Sequence, residues 1–232
     1  MNLLNSLNHK FYADFAGAFA ASRGDTEPGL ALVCADILPG AQVLDLGCGQ
    51  GRVAAMLPAG CRYVGMDFSP EMMTQFHPTA NVEQLAIRFV VGDLLDPAWP
   101  SQVDGAYDWI IMRAVLQHIP GIAQRQAVVK QAAGLLAPQG RLLIANWQFL
   151  DIERLRRRLL SWDVIGLTAD DVEPGDYLLD WQREGYGIRY VHLVDETEAA
   201  ALAVHANLHI GTLFRADGHH GNLTLYAVLH TT

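Results

Sequence analysis

The chain has 232 residues, of which 51% are hydrophobic and 18% are charged. This composition excludes a disordered chain, a collagen and a coiled coil, because each of those needs a different apolar fraction or a different repeat. The length favours one or two domains. A single domain of this size buries roughly 70–75% of the surface that the unfolded chain exposes.

The chain has 16 basic and 25 acidic residues, which gives a net charge of −9. This charge argues against sequence-independent binding to DNA or RNA, since phosphate neutralisation needs clustered lysines and arginines. The three cysteines, with no Cys-x-x-Cys spacing, argue against a disulfide framework or a structural zinc site. The polar start and the lack of any apolar run near the roughly 18 residues that cross a bilayer favour a cytoplasmic protein. We expect no DNA, membrane or metal partner. A local basic site stays open, in the patch of Arg154, Arg156, Arg157 and Arg158.

The helical spacing of Phe11, Phe15 and Phe19 predicts an amphipathic helix over residues 9–23, and a second helix is predicted over residues 30–38. Short apolar runs then alternate with helical segments. The predicted strands are residues 42–46, 63–66, 87–91, 107–112 and 141–145, and the predicted helices are residues 53–57, 70–76 and 124–137. This alternation indicates a parallel sheet that is covered on both faces.

The alternation breaks after Trp147. Residues 148–187 are predicted to be an insertion that lies over the sheet as a lid, with one helix at 151–160. Regular structure resumes at 188–194, with a helix at 196–206 and a hairpin of strands at 208–214 and 223–229. We therefore predict a single α/β domain over 1–232, with N-terminal helices (1–38), a cofactor-binding core (40–147), the insertion and a C-terminal part (188–232). Its fold is expected to be a Rossmann-like doubly wound sheet, mostly parallel, with an antiparallel C-terminal hairpin.

A glycine loop follows the first predicted strand and opens a helix. Glycines at 47, 49 and 51 let backbone N–H groups approach a ligand at the carboxyl edge of the sheet. The spacing is G-x-G-x-G instead of the G-x-G-x-x-G of dinucleotide binders, and Asp45 just before it would repel a pyrophosphate. A dehydrogenase is therefore disfavoured, and a cofactor with a cationic or amino-acid end fits better.

Two more carboxylates end the next two predicted strands. Asp67 can accept hydrogen bonds from the hydroxyls of an adenosine ribose, and Asp93 with its backbone can hold an adenine amino group. Each alone is also compatible with a purely structural turn. The ordered set of the glycine loop, Asp67 and Asp93, each at the carboxyl end of a strand, is a much stronger indication of a cofactor site.

The segments VLDLGCGQGR (43–52), VGMDFSPEM (64–72), FVVGDLLD (89–96), YDWIIMRAVLQHI (107–119) and LLAPQGRLLIANW (135–147) resemble the successive motifs of class I S-adenosylmethionine-dependent methyltransferases. The resemblance covers residues 40–147. It implies that the chain is a methyltransferase with S-adenosyl-L-methionine as cofactor and S-adenosyl-L-homocysteine as product. The cofactor-binding residues that it implies are Asp45, Gly47, Cys48 and Gly49 toward the methionine end, Asp67 and Phe68 at the ribose, and Asp93 and Leu94 at the adenine. Arg113 is a further cofactor-binding candidate, assigned to no particular part of the cofactor.

The segments DYLLDWQREGYGIRYVH (176–192), DGHHGNLTLYAVL (217–229) and FYADFAGAFAASR (11–23) resemble the tRNA methyltransferases that esterify 5-carboxymethyluridine at the wobble position. This resemblance implies tRNA as the methyl acceptor and a small zinc-binding activator subunit as a partner. Glu27 lies near a position where that family has a tryptophan. Asp180, Val191 and Leu223 also depart from the family pattern.

The chemical class of the methyl acceptor determines which catalytic residues the reaction needs. A carboxylate has a pKa near ~4 and is already ionised at neutral pH, so it needs alignment by arginines instead of a general base. A hydroxyl or amine acceptor needs a base, for which His118 is best placed. The catalytic candidates are therefore His118, Arg189 and His192, and the substrate-binding candidates are Tyr12, Arg23, Arg52, Trp147, Trp181, Tyr190 and Asn222.

Side chains on a regular strand alternate between its faces, so Arg189 cannot share one pocket wall with Tyr190 and His192. Trp147 and Trp181 could stack on a nucleobase or serve as packing. Three hypotheses remain: esterification of tRNA, O- or N-methylation of a small molecule, and a non-catalytic cofactor-binding accessory protein. An open, positively charged cleft would favour tRNA, and a buried apolar pocket would favour a small molecule.

Overall fold

The computed structural model describes residues 3–22, 27–78 and 82–231. Ten strands occur in this part of the chain. In chain order they are β1 (Gln42–Leu46), β2 (Arg62–Asp67), β3 (Ala86–Val91), β4 (Tyr107–Arg113), β5 (Leu136–Trp147), β6 (Leu159–Leu160), β7 (Asp176–Trp181), β8 (Gly187–His192), β9 (His209–Ala216) and β10 (Thr224–His230). Seven of them form the main sheet, in the order β3-β2-β1-β4-β5-β10-β9. The first five pair in parallel, and β10 is antiparallel to both β5 and β9. The predicted fold class is confirmed.

Residues 3–22, 27–78 and 82–231 also form six α-helices. They are α1 (Leu3–Ala21), α2 (Pro28–Cys34), α3 (Pro70–Met73), α4 (Ile122–Ala133), α5 (Glu153–Arg156) and α6 (Glu196–His205). None of these helices is long and apolar enough to cross a bilayer.

Both faces of the main sheet carry a hydrophobic core, as the apolar strands require. On one face Leu44 packs in the same cluster as Val128 of α4 and Leu202 of α6. On the other face its neighbour Val43 packs in the cluster of Leu30 of α2. The strand β1 therefore contributes to both cores, and its polar residue, Asp45, is left at the carboxyl edge where the cavity lies.

Several predicted element boundaries are wrong. The segment 53–57 forms only a single 3-10 turn at Ala54–Met56, and the segment 151–160 contains the one-turn helix α5 and ends in the strand β6. The predicted helix 124–137 ends at Ala133, because the chain turns at Gly134 and enters β5 at Leu136. β5 is consequently a strand of 12 residues instead of the five predicted at 141–145.

The segment 148–187 also differs from the prediction. It contains β6 and β7, which pair with β8 in a separate three-stranded antiparallel sheet. The helix α1 lies against β8, where the Asn8 side chain accepts the Tyr190 N–H at 2.9 Å and donates to the Tyr190 carbonyl at 3.1 Å. Because both Asn8 and Tyr190 are buried, these two bonds fix α1 to the small sheet beside the carboxyl edge of the main sheet.

Candidate functional site

A cavity lies at the carboxyl edge of the main sheet, with α1 along one side. Parallel sheets bind ligands at this edge because the loops after the strands converge there. The predicted site residues that line the cavity are Tyr12, Asp45, Gly47, Cys48, Gly49, Arg52, Asp67, Phe68, Asp93, Leu94, Arg113, His118 and Trp147. The remaining predictions do not line it, and Arg23 lies outside the described residues.

The glycine loop after β1 is tightly folded. Gly47 and Gly49 have φ angles of 68° and 55°, in the left-handed region that favours glycine. The Gly47 N–H donates to the Met66 carbonyl at 2.7 Å. A Cβ atom on Gly47 would lie 2.4 Å from Cγ2 of Val115, so a side chain has no room there. The loop therefore presents bare backbone to the cavity.

Asp67 joins the ends of β1 and β2. Its Oδ2 accepts the Gly49 N–H at 2.8 Å, and its Oδ1 accepts the Ser69 N–H at 2.9 Å. The residue is only 9% exposed, and burial raises the pKa of its carboxyl. Each carboxylate oxygen has a second lone pair, so Asp67 can still accept hydroxyl groups of a ligand.

Asp45 is the most deeply buried acid of the cavity wall, at 2% exposure. Its Oδ2 accepts the Tyr63 hydroxyl at 2.7 Å. Burial raises the pKa of the Asp45 carboxyl to about 7. A cationic ligand beside this carboxyl would favour the ionised form, so this wall of the cavity is suited to positive charge.

The helix α1 covers the aromatic face that was predicted for the adenosine. The His9 ring stacks on Phe68 with centroids 4.1 Å apart and an interplanar angle of 21°. Nε2 of His9 lies 3.3 Å from Oδ2 of Asp93. Phe68 and Asp93 were both predicted to contact the adenosine. In this structure each of them contacts the His9 side chain of α1 instead.

Arg52 and Arg113 share one partner, Glu27. Nη1 of Arg52 lies 2.8 Å from Oε1 of Glu27, and Nη2 of Arg113 bonds to the same oxygen. This grouping places Arg52 with Arg113 at the end of the cavity that holds Asp45, whereas the sequence predicted Arg52 to bind the acceptor. Sequence reasoning missed the role of Glu27, because no local pattern marks an acid that pairs with residues 25 and 86 positions away.

His118 is at the end of a 3-10 turn, Leu116–His118, after β4. Its Nδ1 lies 3.1 Å from the Tyr190 carbonyl oxygen, which can only accept a hydrogen bond. Nδ1 therefore carries the proton in the neutral ring, and Nε2 is the acceptor. The Tyr12 hydroxyl lies 3.0 Å from Nε2, and the Gln117 amide nitrogen lies 3.3 Å from it. The lone pair of Nε2 is thus presented on the cavity side.

Arg189 lies behind the cavity wall at 4% exposure. Its guanidinium carbon is 5.1 Å from the ring centroid of Trp147 and 5.6 Å from that of Trp181, and Phe11 and Phe19 complete an aromatic cage. Burial lowers the pKa of the guanidinium, and a hydrogen bond with Tyr12 opposes that effect. Among the described residues, its Nε and Nη1 have no hydrogen-bond partner. Trp181, a predicted substrate contact, serves here as packing.

His192, predicted to be catalytic, and Tyr190, predicted to contact the substrate, do not line the cavity. Both side chains point away from Arg189, as strand alternation requires. Asp176 accepts the Tyr190 hydroxyl at 2.6 Å and bonds to Nδ1 of His192 at 2.6 Å, while Nε2 of His192 bonds to Glu198 at 2.7 Å. Tyr190 reaches the site only through its backbone carbonyl.

The last predicted substrate residue, Asn222, also lies outside the cavity. It is in the turn between β9 and β10, on the segment that was aligned by resemblance to the tRNA methyltransferases. No part of that turn lines the cavity. The structure therefore does not bring Asn222 together with the other predicted site residues.

Comparisons with known proteins identify the domain. The profile of a family described as "Methyltransferase domain" matches residues 43–140. The chain is also similar to a ubiquinone biosynthesis O-methyltransferase of Xanthomonas campestris pv. campestris (strain B100), at 29% identity over 110 residues, which cover 47% of this chain and 44% of that protein. The chain thus spans about half the length of the curated relatives that it matches.

Two solved structures are similar over nearly the whole chain. A S-adenosylmethionine-dependent methyltransferase from Clostridium acetobutylicum ATCC 824 has a TM-score of 0.67 and 14% identity, covering 97% of this chain and 98% of that one. The DhpI-SAM-HEP complex has a TM-score of 0.67 and 18% identity, covering 99% of each chain. At these identities the likeness concerns the fold. The chain therefore has the fold of the class I methyltransferases, and residues 43–140 match the methyltransferase-domain profile.

Proposed function

We propose that this chain transfers a methyl group from S-adenosylmethionine to an oxygen atom of a small acceptor, with His118 as the general base. Bound S-adenosylmethionine supplies an electrophilic methyl group on a sulfonium. The bare glycine loop and the acidic wall of the cavity fit such a cationic nucleoside. The residues that would hold it are Asp45, Gly47, Cys48, Gly49 and Arg113 at the methionine end, Asp67 and Phe68 at the ribose, and Asp93 and Leu94 at the adenine.

The position of His118 is the observation that carries the proposal. Its Nδ1–H is held by the Tyr190 carbonyl, so Nε2 can take the proton of an acceptor hydroxyl that displaces the Tyr12 hydroxyl. The same carbonyl then stabilises the imidazolium that forms. General base catalysis of this kind contributes about 10²–10⁴-fold to a rate.

The surroundings of the cavity support a small acceptor. α1 lies along the cavity, and aromatic side chains such as Tyr12, Phe19 and Trp147 form part of its wall. The two arginines of the wall, Arg52 and Arg113, are ion-paired to Glu27. The similarity to an O-methyltransferase of ubiquinone biosynthesis supports oxygen as the acceptor atom.

A second candidate is an acceptor with a carboxylate, which Arg189 favours. Its Nε and Nη1 are buried without a hydrogen-bond partner among the described residues, and a carboxylate would satisfy one of these two donors. The carboxymethyl group of a modified wobble uridine in tRNA is one such acceptor, with a small activator subunit as partner. The resemblance of residues 176–192 to tRNA methyltransferases supports it. Such an acceptor is already ionised and would leave His118 without a proton to remove.

A transfer assay with methyl-labelled cofactor separates the two candidates. The acceptors are phenols and catechols, aromatic carboxylates, and tRNA that carries carboxymethyluridine, with and without an activator subunit. We expect label in the hydroxyl acceptors, and we expect His118→Gln to lower kcat by about 10²–10⁴-fold while cofactor affinity is kept. The exposed His205→Gln serves as the matched control.

The opposite result in this assay would favour the carboxylate acceptor over the hydroxyl acceptor. Label in tRNA or in carboxylates that survives His118→Gln and is lost in Arg189→Met would show a carboxylate acceptor. A chain that binds the cofactor and labels no acceptor of any class would contradict both and leave an accessory protein.

A further inference from the structure

Glu27 is placed directly before α2 and yet does not cap it, since its side chain makes no capping hydrogen bond. Its carboxylate turns to the cavity wall instead, where Oε1 accepts from both Arg52 and Arg113. The side chain is 10% exposed. Its Oε2 is buried without a hydrogen-bond partner among the described residues. Helix capping does not explain why this buried acid forms ion pairs with two arginines of the cavity wall.

The two arginines belong to different parts of the fold. Arg52 follows the glycine loop, and Arg113 ends β4. Both line the cavity near Asp45, so this end of the site holds two positive groups and one acid that faces the ligand. Two guanidinium groups repel each other, and Arg113 also attracts the Asp45 carboxyl, whose pKa it lowers against the larger effect of burial. The shared carboxylate of Glu27 offsets this repulsion, because its Oε1 lies between one nitrogen of each guanidinium group and neutralises one charge.

An amino-acid end of a ligand carries one carboxylate and one ammonium group. Arginines held by Glu27 suit the carboxylate, and an Asp45 left out of that ion pair suits the ammonium. Neither match requires Glu27 itself to touch the ligand, and Glu27 is absent from the cavity lining.

We propose that Glu27 is the positioning residue for the methionine end of the cofactor: it holds Arg52 and Arg113 for the cofactor's carboxylate and keeps Asp45 available for its ammonium group. The inference rests on the proposed function only in taking S-adenosylmethionine as the cofactor. Glu27, which lies near a position where the tRNA methyltransferases have a tryptophan, thereby gains a role in specificity for the amino-acid end of the cofactor.

A truncated ligand tests the proposal by calorimetry. S-adenosylhomocysteine carries the amino-acid end, and 5′-methylthioadenosine has the same nucleoside without it. We expect Glu27→Gln to weaken binding of S-adenosylhomocysteine by about 10- to 100-fold, the range for a lost charge-assisted contact. Binding of methylthioadenosine should stay within about twofold of the wild type, because its contacts do not involve the two arginines.

An equal change in affinity for both ligands, or no change for either, would overturn the proposal. An acid with only a structural role would affect the binding of both ligands alike. Glu27→Asp retains the charge and retracts it by one methylene, and it should show the same separation if Glu27→Gln does not fold. Asp36→Asn is the matched control, because it removes an exposed carboxylate that pairs with Arg141 at 3.2 Å. A wild type that binds neither ligand would overturn the cofactor assignment as well.

Discussion

The hydroxyl of Tyr12 lies 3.0 Å from Nε2 of His118 and joins the N-terminal helix to the turn after β4, across 106 positions of the sequence. Tyr12 also shares a hydrogen bond with the buried Arg189. These contacts form a line from an aromatic cage to the base that we propose for the reaction. Tyr12 therefore occupies the place that an acceptor hydroxyl has to take.

Tyr12→Phe removes this hydroxyl and leaves the ring. Because Nε2 of His118 keeps its lone pair, we expect kcat to stay within about tenfold of the wild type, far above the value for His118→Gln. Steady-state kinetics on a hydroxyl acceptor check this. A Tyr12→Phe enzyme as slow as His118→Gln would mean that the tyrosine relays the proton.

Cofactor affinity should depend on pH through Asp45, whose pKa burial raises to about 7. A cationic cofactor binds the ionised carboxylate, so binding below pH 7 releases a proton. Affinity should rise by about tenfold between pH 6 and pH 8 and then level off. Calorimetry in buffers with different ionisation enthalpies measures both quantities.

The controls for this titration are Asp45→Asn and His9→Gln. The first should bind weakly at every pH and lose the slope. The second removes the imidazole that lies beside Asp93 and should keep the slope. A slope that survives in Asp45→Asn would contradict the assignment.

The buried pair of His192 and Asp176 predicts a pH-dependent stability. Burial would lower the pKa of His192, but hydrogen bonds to Asp176 and Glu198 outweigh it and raise the pKa above its usual value. A raised histidine pKa stabilises the folded chain below the unfolded pKa of about 6.5, and this contribution is lost as the pH rises through the folded pKa.

His192→Gln should therefore lower the free energy of unfolding by about 3 kcal/mol near pH 6, since it leaves a buried acid without its charged partner. The difference from the wild type should shrink as the pH rises. Urea denaturation between pH 6 and pH 9 measures it, with the exposed His205→Gln as the control. A difference that is constant over this range would argue against a charged His192.

Gly47→Ala tests the bare backbone of the glycine loop. The left-handed φ and the 2.4 Å approach to Val115 predict a loss of about 1–3 kcal/mol in the free energy of unfolding and a loss of cofactor binding. Gly17→Ala, inside α1 with no atom within 4 Å of the added Cβ, should instead gain about 0.5–1 kcal/mol. Thermal unfolding and cofactor titration of both variants check this, and normal binding by Gly47→Ala would contradict it.

The half of the site nearest the glycine loop could be predicted from the sequence because its residues follow strands, and parallel strands bring their carboxyl ends to one edge. Asp45, Asp67 and Asp93 were predicted in this way, and all line the cavity. Strand alternation also predicted that Arg189 and His192 lie on opposite faces of β8.

The other half depends on contacts between distant parts of the chain. The ion pair of Glu27 with Arg113 joins the start of a helix to the end of a strand. The pairing of β7 with β8 joins a segment that looks irregular in sequence to the regular segment predicted at 188–194. His192 was assigned to the reaction because its neighbours resembled those of tRNA methyltransferases. The acids that surround it, Asp176 and Glu198, come from other elements and were not visible in its own segment.

The stacking of His9 on Phe68 has a consequence for the order of events. The same helix carries His9 at the predicted adenosine contacts and Tyr12 at the base, three residues further along. An adenosine that takes the face of Phe68 must move His9, and with it the helical turn that fills the acceptor position. Cofactor entry thus prepares the place for the second substrate, so the kinetic mechanism should be sequential and ordered, with the cofactor binding first and its demethylated product leaving last. Product inhibition by S-adenosylhomocysteine should accordingly be competitive with the cofactor and noncompetitive with the acceptor.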